Sequence, residues 1–164
     1  MNDVLVTRVD EAWRRLADVP DPEVPAISVV DLGIVRAVIE ADDGTIEVTL
    51  TPTYSGCPAT EVIEDSVRDA LLPLGPVRVH LQRAPAWTTD WISDDGRRKL
   101  RDYGIAPPGR CGDAAQPVRL MTRVPCPRCG SAHTERLSAF GATACKSLHR
   151  CLDCREPFEH FKAI

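Results

Sequence analysis

The sequence predicts an α+β fold, in which a two-layer α-β-β-α-β domain is followed by a small β-rich module built around four cysteines. Two N-terminal segments have the 3.6-residue apolar period of amphipathic helices, and three segments read as strands, two of them with clean two-residue alternation. Helices packed on one face of such a sheet make a two-layer domain. We assign residues 1–105 to this domain, residues 106–123 to a linker that contains prolines, and residues 124–164 to the cysteine module.

The first helix and a hairpin open the domain. The helix is predicted over residues 3–17, where acidic residues come early and Arg14 and Arg15 come late, as the helix dipole prefers. Its apolar face is Val6, Val9, Trp13 and Leu16. Strands over residues 34–40 and 46–51 flank Asp43-Gly44, a dipeptide typical of two-residue hairpin turns. The second strand alternates cleanly, with Ile46, Val48 and Leu50 on one face.

A second helix and a third strand complete the α-β-β-α-β order. The helix is predicted over residues 58–72, and the strand begins at Val77 after Gly75-Pro76 breaks the chain. The apolar face of the helix is Ala59, Val62, Ile63, Val67, Ala70 and Leu71. A short further helix, capped by Ser93 or Asp94, is predicted to end near Tyr103-Gly104.

Composition limits the possible functions. The chain of 164 residues is 43% hydrophobic and contains no apolar run long enough to span a membrane. The N-terminus lacks the layout of a signal peptide, so we expect a cytoplasmic protein whose cysteines bind metal or react rather than form disulfides. Residues 1–118 carry a net charge of −8 and residues 119–164 one of +4, which disfavours nucleic-acid binding by the whole chain.

The most specific signal is the pair of motifs CPRC and CLDC, which contain Cys126, Cys129, Cys151 and Cys154. Two CxxC turns supply four thiolates, the tetrahedral set that Zn²⁺ prefers, and they leave no ligand position open. We therefore expect a structural Zn²⁺ in a zinc ribbon, with mononuclear iron or an iron–sulfur cluster as the alternatives. His133, His149 and His160 lie nearby as substitute ligands, but we expect surface histidines.

Cys57 lies in TPTYSGCPATE, where a strand ends and a helix is predicted to begin. Unpaired backbone N–H groups and the helix dipole favour the thiolate there, provided that solvent reaches the sulfur. The alternative is a buried cysteine that packs at the sheet edge, and position alone does not separate the two. Cys145 is expected to pack as a small apolar residue.

The chain carries no conventional catalytic set. We find no nucleophile–base pair, no phosphate-binding glycine loop, and no HExxH or GxSxG motif. Asp21, Glu23 and Asp31 cluster around a proline turn, where solvated loop acids are the expectation. An independent enzyme is therefore not supported.

Several longer motifs carry a family resemblance. VPDPEVPAISVVDLGIVR, TPTYSGCPATE, APAWTTDWISDDGRRKLRDYGIAPP, CPRCGS, FGATACKSLHRC and CREPFEHFK together resemble the PaaD family of phenylacetate-degradation proteins, from about residue 12 to the C-terminus. The N-terminal part is similar to the wider group of SufT-like iron–sulfur assembly domains, through its DPE turn, its DLG segment and Cys57. One departure is Ala163, where the family carries a cysteine.

The resemblance implies an accessory role in aerobic phenylacetate breakdown rather than the oxygenation itself. It implies that the chain helps to build or deliver the iron–sulfur cluster of the reductase component of the phenylacetyl-CoA epoxidase. Cys57 would be the thiolate that touches iron or the cluster transiently, beside Asp21 and Glu23, and Cys145 would be a weaker second contact. The four CxxC cysteines would hold the metal of the ribbon.

Two rival roles stay open, and so do several partners. The chain could instead be a structural or electron-transferring subunit of the epoxidase. A zinc-ribbon adaptor for nucleic acid is suggested only by the basic tail. Besides the reductase, we expect other epoxidase subunits and iron–sulfur assembly proteins as possible partners, with no membrane partner. A homodimer is also left open.

Overall fold

The computed structural model describes residues 6–53, 59–111 and 123–164. The chain divides into two compact units, Met1–Trp87 and Thr88–Ile164. Within the described residues no helix is long and apolar enough to cross a membrane. Each unit contains its own sheet, so the expected α+β class with a separate β-rich module is confirmed.

The first unit contains the predicted α-β-β-α-β order. Its elements are α1 (Arg8–Ala17), β1 (Val35–Glu40), β2 (Ile46–Leu50), α2 (Ala59–Leu71) and β3 (Val77–Leu81). β1 and β2 pair antiparallel, whereas β2 and β3 pair parallel, with α2 as the crossover between them. β2 is therefore the central strand, and its Ile46, Val48 and Leu50 are buried as predicted.

Helix α1 begins later than predicted because its cap lies at Thr7. The Thr7 hydroxyl accepts the N–H of Asp10 and the Asp10 carboxylate accepts the N–H of Thr7, a reciprocal capping box. Val6 therefore precedes the helix and is exposed, so its assignment to the apolar face was wrong. Ala12 and Leu16 are the fully buried residues of this helix.

Two further details of the first unit differ from the prediction. The hairpin turn has three residues rather than two, since Ala41 pairs with Thr45 and Gly44 donates its N–H to the carbonyl of Ala41. Gly44 has a φ of 79°, the left-handed conformation that such a turn requires. Val62 of α2 is exposed, whereas Ile63, Val67 and Leu71 form the buried face.

The second unit begins with helical turns and ends with a four-stranded sheet. Its elements are a 3₁₀ turn (Thr89–Trp91), α3 (Asp94–Asp102), β4 (Ile105–Ala106), β5 (Thr134–Ser138), β6 (Lys146–Cys151) and β7 (Pro157–Phe161). The strand order is β4-β7-β6-β5, and only the β4–β7 pair of this sheet is parallel in the described residues. Ser93 caps α3 by accepting the N–H of Gly96 at 2.9 Å.

The division between the units differs from the predicted boundary at residue 105. Ile105 and Ala106 pair with Glu159 and His160 of β7, so α3 and β4 belong with the cysteine module. A buried apolar cluster joins β4 to the cysteine module, and its members are Ala106, Val124, Cys126, Cys151 and Phe158. Most of the predicted linker, residues 112–122, lies outside the described residues.

Candidate functional site

The two CxxC motifs form a matched pair of turns at one end of the second sheet. In the first, the N–H of Cys126 donates to the carbonyl of Ser131 at 2.9 Å, and in the second the N–H of Cys151 donates to that of Glu156 at 3.0 Å. The residue after each second cysteine has positive φ, 75° at Gly130 and 67° at Arg155. This conformation brings each turn back upon its own cysteines.

The four sulfurs meet at one point. Cys126 Sγ lies 3.7 Å from Cys154 Sγ, Cys129 Sγ lies 3.5 Å from Cys151 Sγ, and all four sulfurs are within 4.8 Å of one another. A tetrahedral Zn²⁺ with bonds of about 2.3 Å would separate its sulfur ligands by about 3.8 Å. A disulfide would bring two of them to about 2 Å. The arrangement therefore fits a single four-coordinate metal ion and no disulfide.

Backbone N–H groups prepare part of the site for ionisation. The pKa of Cys151 is lowered to about 7, because the N–H of Cys154 and then that of Asp153 donate to its sulfur and outweigh its burial. The Cys154 sulfur accepts the N–H of Glu156, which lowers its pKa, but burial and the neighbouring sulfurs raise it to about 12. The Cys151 thiolate therefore forms readily, and a bound cation would help Cys154 to ionise beside it.

The side chains around the metal turns make a second set of contacts. Asp153 of the second turn accepts from the hydroxyl of Ser131 and contacts His133 Nδ1 at 3.2 Å, so it joins the two turns. Such outer contacts orient metal ligands. His149 is 6% exposed, stacks on Phe158 and hydrogen-bonds Ser147 at 2.9 Å, so the expectation of a surface histidine was wrong for it.

His160 is also partly buried, with its ring edge-on to that of His149 at 5.5 Å between centroids. Burial, and then the charge of His149, lowers the pKa of His160 to about 4. Of the described residues, only the four cysteines form a group with ligand geometry, and none of the three histidines belongs to it.

In the first unit, the acidic turn lies beside the described residues that flank the Cys57 segment in sequence. A pocket there is lined by Asp21 and Glu23 together with Thr53 and Ala59, which flank that segment in sequence. The remaining lining residues are Ile34, Leu50, Pro52, Thr60, Ile63 and Leu81. Cys57 itself lies outside the described residues, so the choice between a reactive and a packed thiol stays a prediction.

Two of the three loop acids that were expected to be solvated are buried. Glu23 is exposed, whereas Asp21 is 8% exposed and one of its oxygens accepts the N–H groups of Glu23 and Val24 at 3.0 and 2.8 Å. Asp31 is buried and its N–H and carboxylate exchange hydrogen bonds with Ser28. Asp21 therefore shapes the turn through backbone contacts.

One residue that fixes this region was missed by sequence reasoning. The indole N–H of Trp87 donates to the carbonyl of Leu32, in the DLG segment, at 2.9 Å, and the ring is buried. A tryptophan 55 positions away gives no local signal of such a contact.

The last two cysteines differ in environment. Cys145 is half-buried in the loop between β5 and β6, with its sulfur 3.0 Å from the hydroxyl of Thr143. Cys111, to which the sequence assigned no role, is exposed and its thiol contacts the carbonyl of Ile164 at 3.3 Å.

Comparison with known proteins places both units in families. Residues 10–80 match the family model of iron–sulfur cluster assembly proteins, and residues 111–162 match the model of the PaaD zinc beta ribbon domain. A domain of unknown function from Bacillus anthracis resembles 57% of this chain over 91% of its own length, with a TM-score of 0.53 and 26% identity.

Curated relatives agree with these matches. An iron–sulfur protein maturation auxiliary factor of Porphyromonas gingivalis is 32% identical over 61% of this chain and 97% of its own length. A protein of Escherichia coli K12, named as a subunit of 1,2-phenylacetyl-CoA epoxidase, is 50% identical over 96% of this chain and 94% of its own. Because one relative matches both units at this identity, the chain belongs to the PaaD family of phenylacetyl-CoA epoxidase subunits.

Proposed function

We propose that this chain is a non-catalytic maturation factor for the phenylacetyl-CoA epoxidase, and that it helps to build or deliver the iron–sulfur cluster of the reductase component. The observation that carries the proposal is the pocket of the first unit, because its lining joins the acidic turn to both flanks of the Cys57 segment. The match of residues 10–80 to iron–sulfur assembly proteins supports the proposal that this first unit handles the iron or the cluster.

Cys57 needs no general base for this role. A thiolate that holds iron transiently must be anionic, accessible and not already bound to another metal. The helix α2 begins at Ala59, two residues after Cys57 in sequence, and the N–H groups of a helix start would favour the thiolate there. Glu23 would add an oxygen ligand for iron, while Asp21 would hold the turn. Cys145 would be a weaker second contact.

The ribbon would hold a structural Zn²⁺ through Cys126, Cys129, Cys151 and Cys154. Four thiolates close the coordination sphere, so the ion would supply folding energy and no open position for chemistry. Two of these cysteines are also part of the buried cluster of the second unit, so binding and folding would be coupled. Metal analysis and the absorption spectrum of anaerobically purified protein separate zinc, which is colourless, from iron.

The test is maturation of the reductase by variants of this chain. Cys57→Ala should leave the ribbon metal in place but yield a reductase depleted in cluster, measured as iron per reductase and as cluster absorbance. Cys111→Ala is the matched control, since Cys111 is an exposed thiol with no assigned role. Normal cluster content with Cys57→Ala would refute the thiol role.

A second candidate function is that of a structural or electron-transferring subunit of the epoxidase, which the name of the Escherichia coli relative favours. The two candidates differ in timing. A maturation factor acts before turnover, so adding it to epoxidase with a fully loaded reductase should leave the rate unchanged. A rate that rises on addition would favour the subunit role.

A further inference from the structure

The loop between β5 and β6 presents apolar side chains to solvent. Phe140 is 64% exposed and Leu137 is 49% exposed, at the end of the sheet opposite the cysteine turns. Leu137 lies at an irregularity in the pairing of β5 with β6, between Arg136 and Ser138. Bulges of this kind redirect side chains and are common near functional surfaces.

Contacts with Glu159 of β7 and Lys146 of β6 hold this loop in place. Glu159 of β7 accepts the N–H of Ala142 at 2.6 Å and forms an ion pair of 2.8 Å with Lys146, whose side chain is 4% exposed. Gly141 donates to the carbonyl of Lys146 at 2.7 Å, and a Cβ at Gly141 would overlap the Glu159 carboxylate. A buried ion pair and a close glycine contact therefore fix the loop that carries Phe140.

The charge beside Phe140 is positive. The Lys162 ammonium lies 4.7 Å from the centroid of the Phe140 ring and donates to the carbonyl of Ala139 at 3.2 Å. Among the described residues, no carboxylate lies within ion-pair distance of Lys162 or Arg136. The neighbouring acids are already neutralised, Glu159 by Lys146 and Glu135 by Arg150.

We propose that Leu137, Phe140 and the Lys162 ammonium form a docking surface for the iron–sulfur client, through a hollow on that client that is apolar and edged by carboxylates. This rests on the proposed function, because it takes the client to be the reductase component. A rigid exposed aromatic loses little conformational entropy on binding, and aromatic anchors carry much of the energy of protein interfaces. The Lys162 ammonium, which has no carboxylate partner among the described residues, selects an acidic surface over a basic one.

The experiment measures binding of the full chain, loaded with its metal, to purified apo-reductase. Phe140→Ser should raise Kd about 30-fold, the loss expected for a central aromatic anchor. Lys162→Glu should raise Kd about 5- to 10-fold at low salt, with a smaller effect as salt screens the charge. Two controls from the same unit, Tyr103→Ser (exposed aromatic) and Arg98→Glu (exposed cation), should stay within about two-fold of wild type.

The outcomes separate docking from chemistry. Cys57→Ser should bind like wild type yet fail to load the reductase, whereas Phe140→Ser should load it slowly and recover at high concentration. If Cys57→Ser loads the reductase normally while Phe140→Ser loses binding, the proposed thiol role falls and the docking surface stands. Unchanged Kd for Phe140→Ser overturns the docking surface. The docking surface is also overturned if the wild-type chain does not bind the reductase. It is overturned as well if Phe140 contacts a second copy of this chain instead.

Discussion

Removal of Glu159 should destabilise the second unit more than removal of its partner Lys146. The Lys146 side chain is 4% exposed and that of Glu159 is 23% exposed, so the ammonium is the more deeply buried charge. Glu159→Ala leaves this ammonium uncompensated, at a cost of about 3–5 kcal/mol. Lys146→Met leaves a carboxylate that still accepts the Ala142 N–H and reaches water, so we expect a cost of about 1–2 kcal/mol.

The pKa of Glu159 gives the sign of the accompanying pH dependence. Burial raises this pKa, but the Ala142 N–H and the Lys146 ammonium together outweigh it, so the net pKa is lowered. A carboxylate with a lowered folded pKa stabilises the fold above its unfolded pKa, and this stabilisation is lost as pH falls through the folded pKa. The difference between wild type and Glu159→Ala should therefore shrink in acid.

The assay is urea unfolding of the full chain, loaded with one metal ion and freed of excess metal, in which unfolding of the second unit is followed by metal release to a chromophoric chelator. The variants Glu159→Ala, Lys146→Met and the double variant Lys146→Met/Glu159→Leu complete the comparison. The double variant should recover most of the loss, because apolar pairs often replace buried ion pairs without cost. If Glu159→Ala costs less than Lys146→Met, or if the double variant costs the sum of the single changes, the assignment of a desolvated pair is wrong.

Four further substitutions test three separate features. Arg155→Gly should stabilise the metal-loaded second unit by about 1 kcal/mol in the same assay, because glycine adopts the positive φ of 67° freely. In the matching turn, Gly130 has a φ of 75°, so Gly130→Ala should destabilise the unit by about the same amount. The folded pKa of about 4 at His160 makes wild type lose stability as pH falls below about 6.5, the usual pKa of histidine. On going from pH 7.5 to pH 5, His160→Gln should therefore gain about 1 kcal/mol of unfolding free energy relative to wild type, after a discount for partial exposure. If the difference between the two proteins stays the same across that range, His160 is not a buried neutral imidazole. The buried Thr51 hydroxyl has no hydrogen-bond partner among the described residues. Thr51→Val should therefore raise the urea midpoint of the first unit by the equivalent of about 1 kcal/mol. A lower midpoint would show that the hydroxyl makes a hydrogen bond.

Local patterns identified the elements whose burial follows a simple period. The alternation of β2 and the apolar stripe of α2 match the buried residues, because each element packs one face against the same small core. Val62 is the exception, since it is 52% exposed. The position of the hairpin turn was predicted correctly, but its length was not. A glycine with positive φ, such as Gly44, occurs in two-residue and three-residue turns alike.

Strand pairing between residues far apart in the chain could not be predicted from local sequence patterns. β4 is two residues long and pairs with β7 more than fifty positions later, so nothing local assigned α3 and β4 to the cysteine module. His149 was predicted on the surface, yet it is buried, as is Lys146, and each has a partner that only the folded sheet brings close. The convergence of the four cysteine sulfurs was predictable because four cysteines in two equal turns leave few other arrangements.

Strand β6 connects the two ends of the ribbon. It begins at Lys146, which holds the loop carrying Phe140 through Glu159, and it ends at Cys151, one of the four sulfurs that converge. β7 runs alongside it over the same length, from Pro157 to Phe161. A metal bound at one end would therefore fix the strands that hold the loop at the other, although the ion itself has no open position. A closed metal site would then contribute to recognition without chemistry: removing the ion should weaken client binding as strongly as Phe140→Ser, because the first change removes the rigid support of the proposed docking surface and the second removes its aromatic anchor.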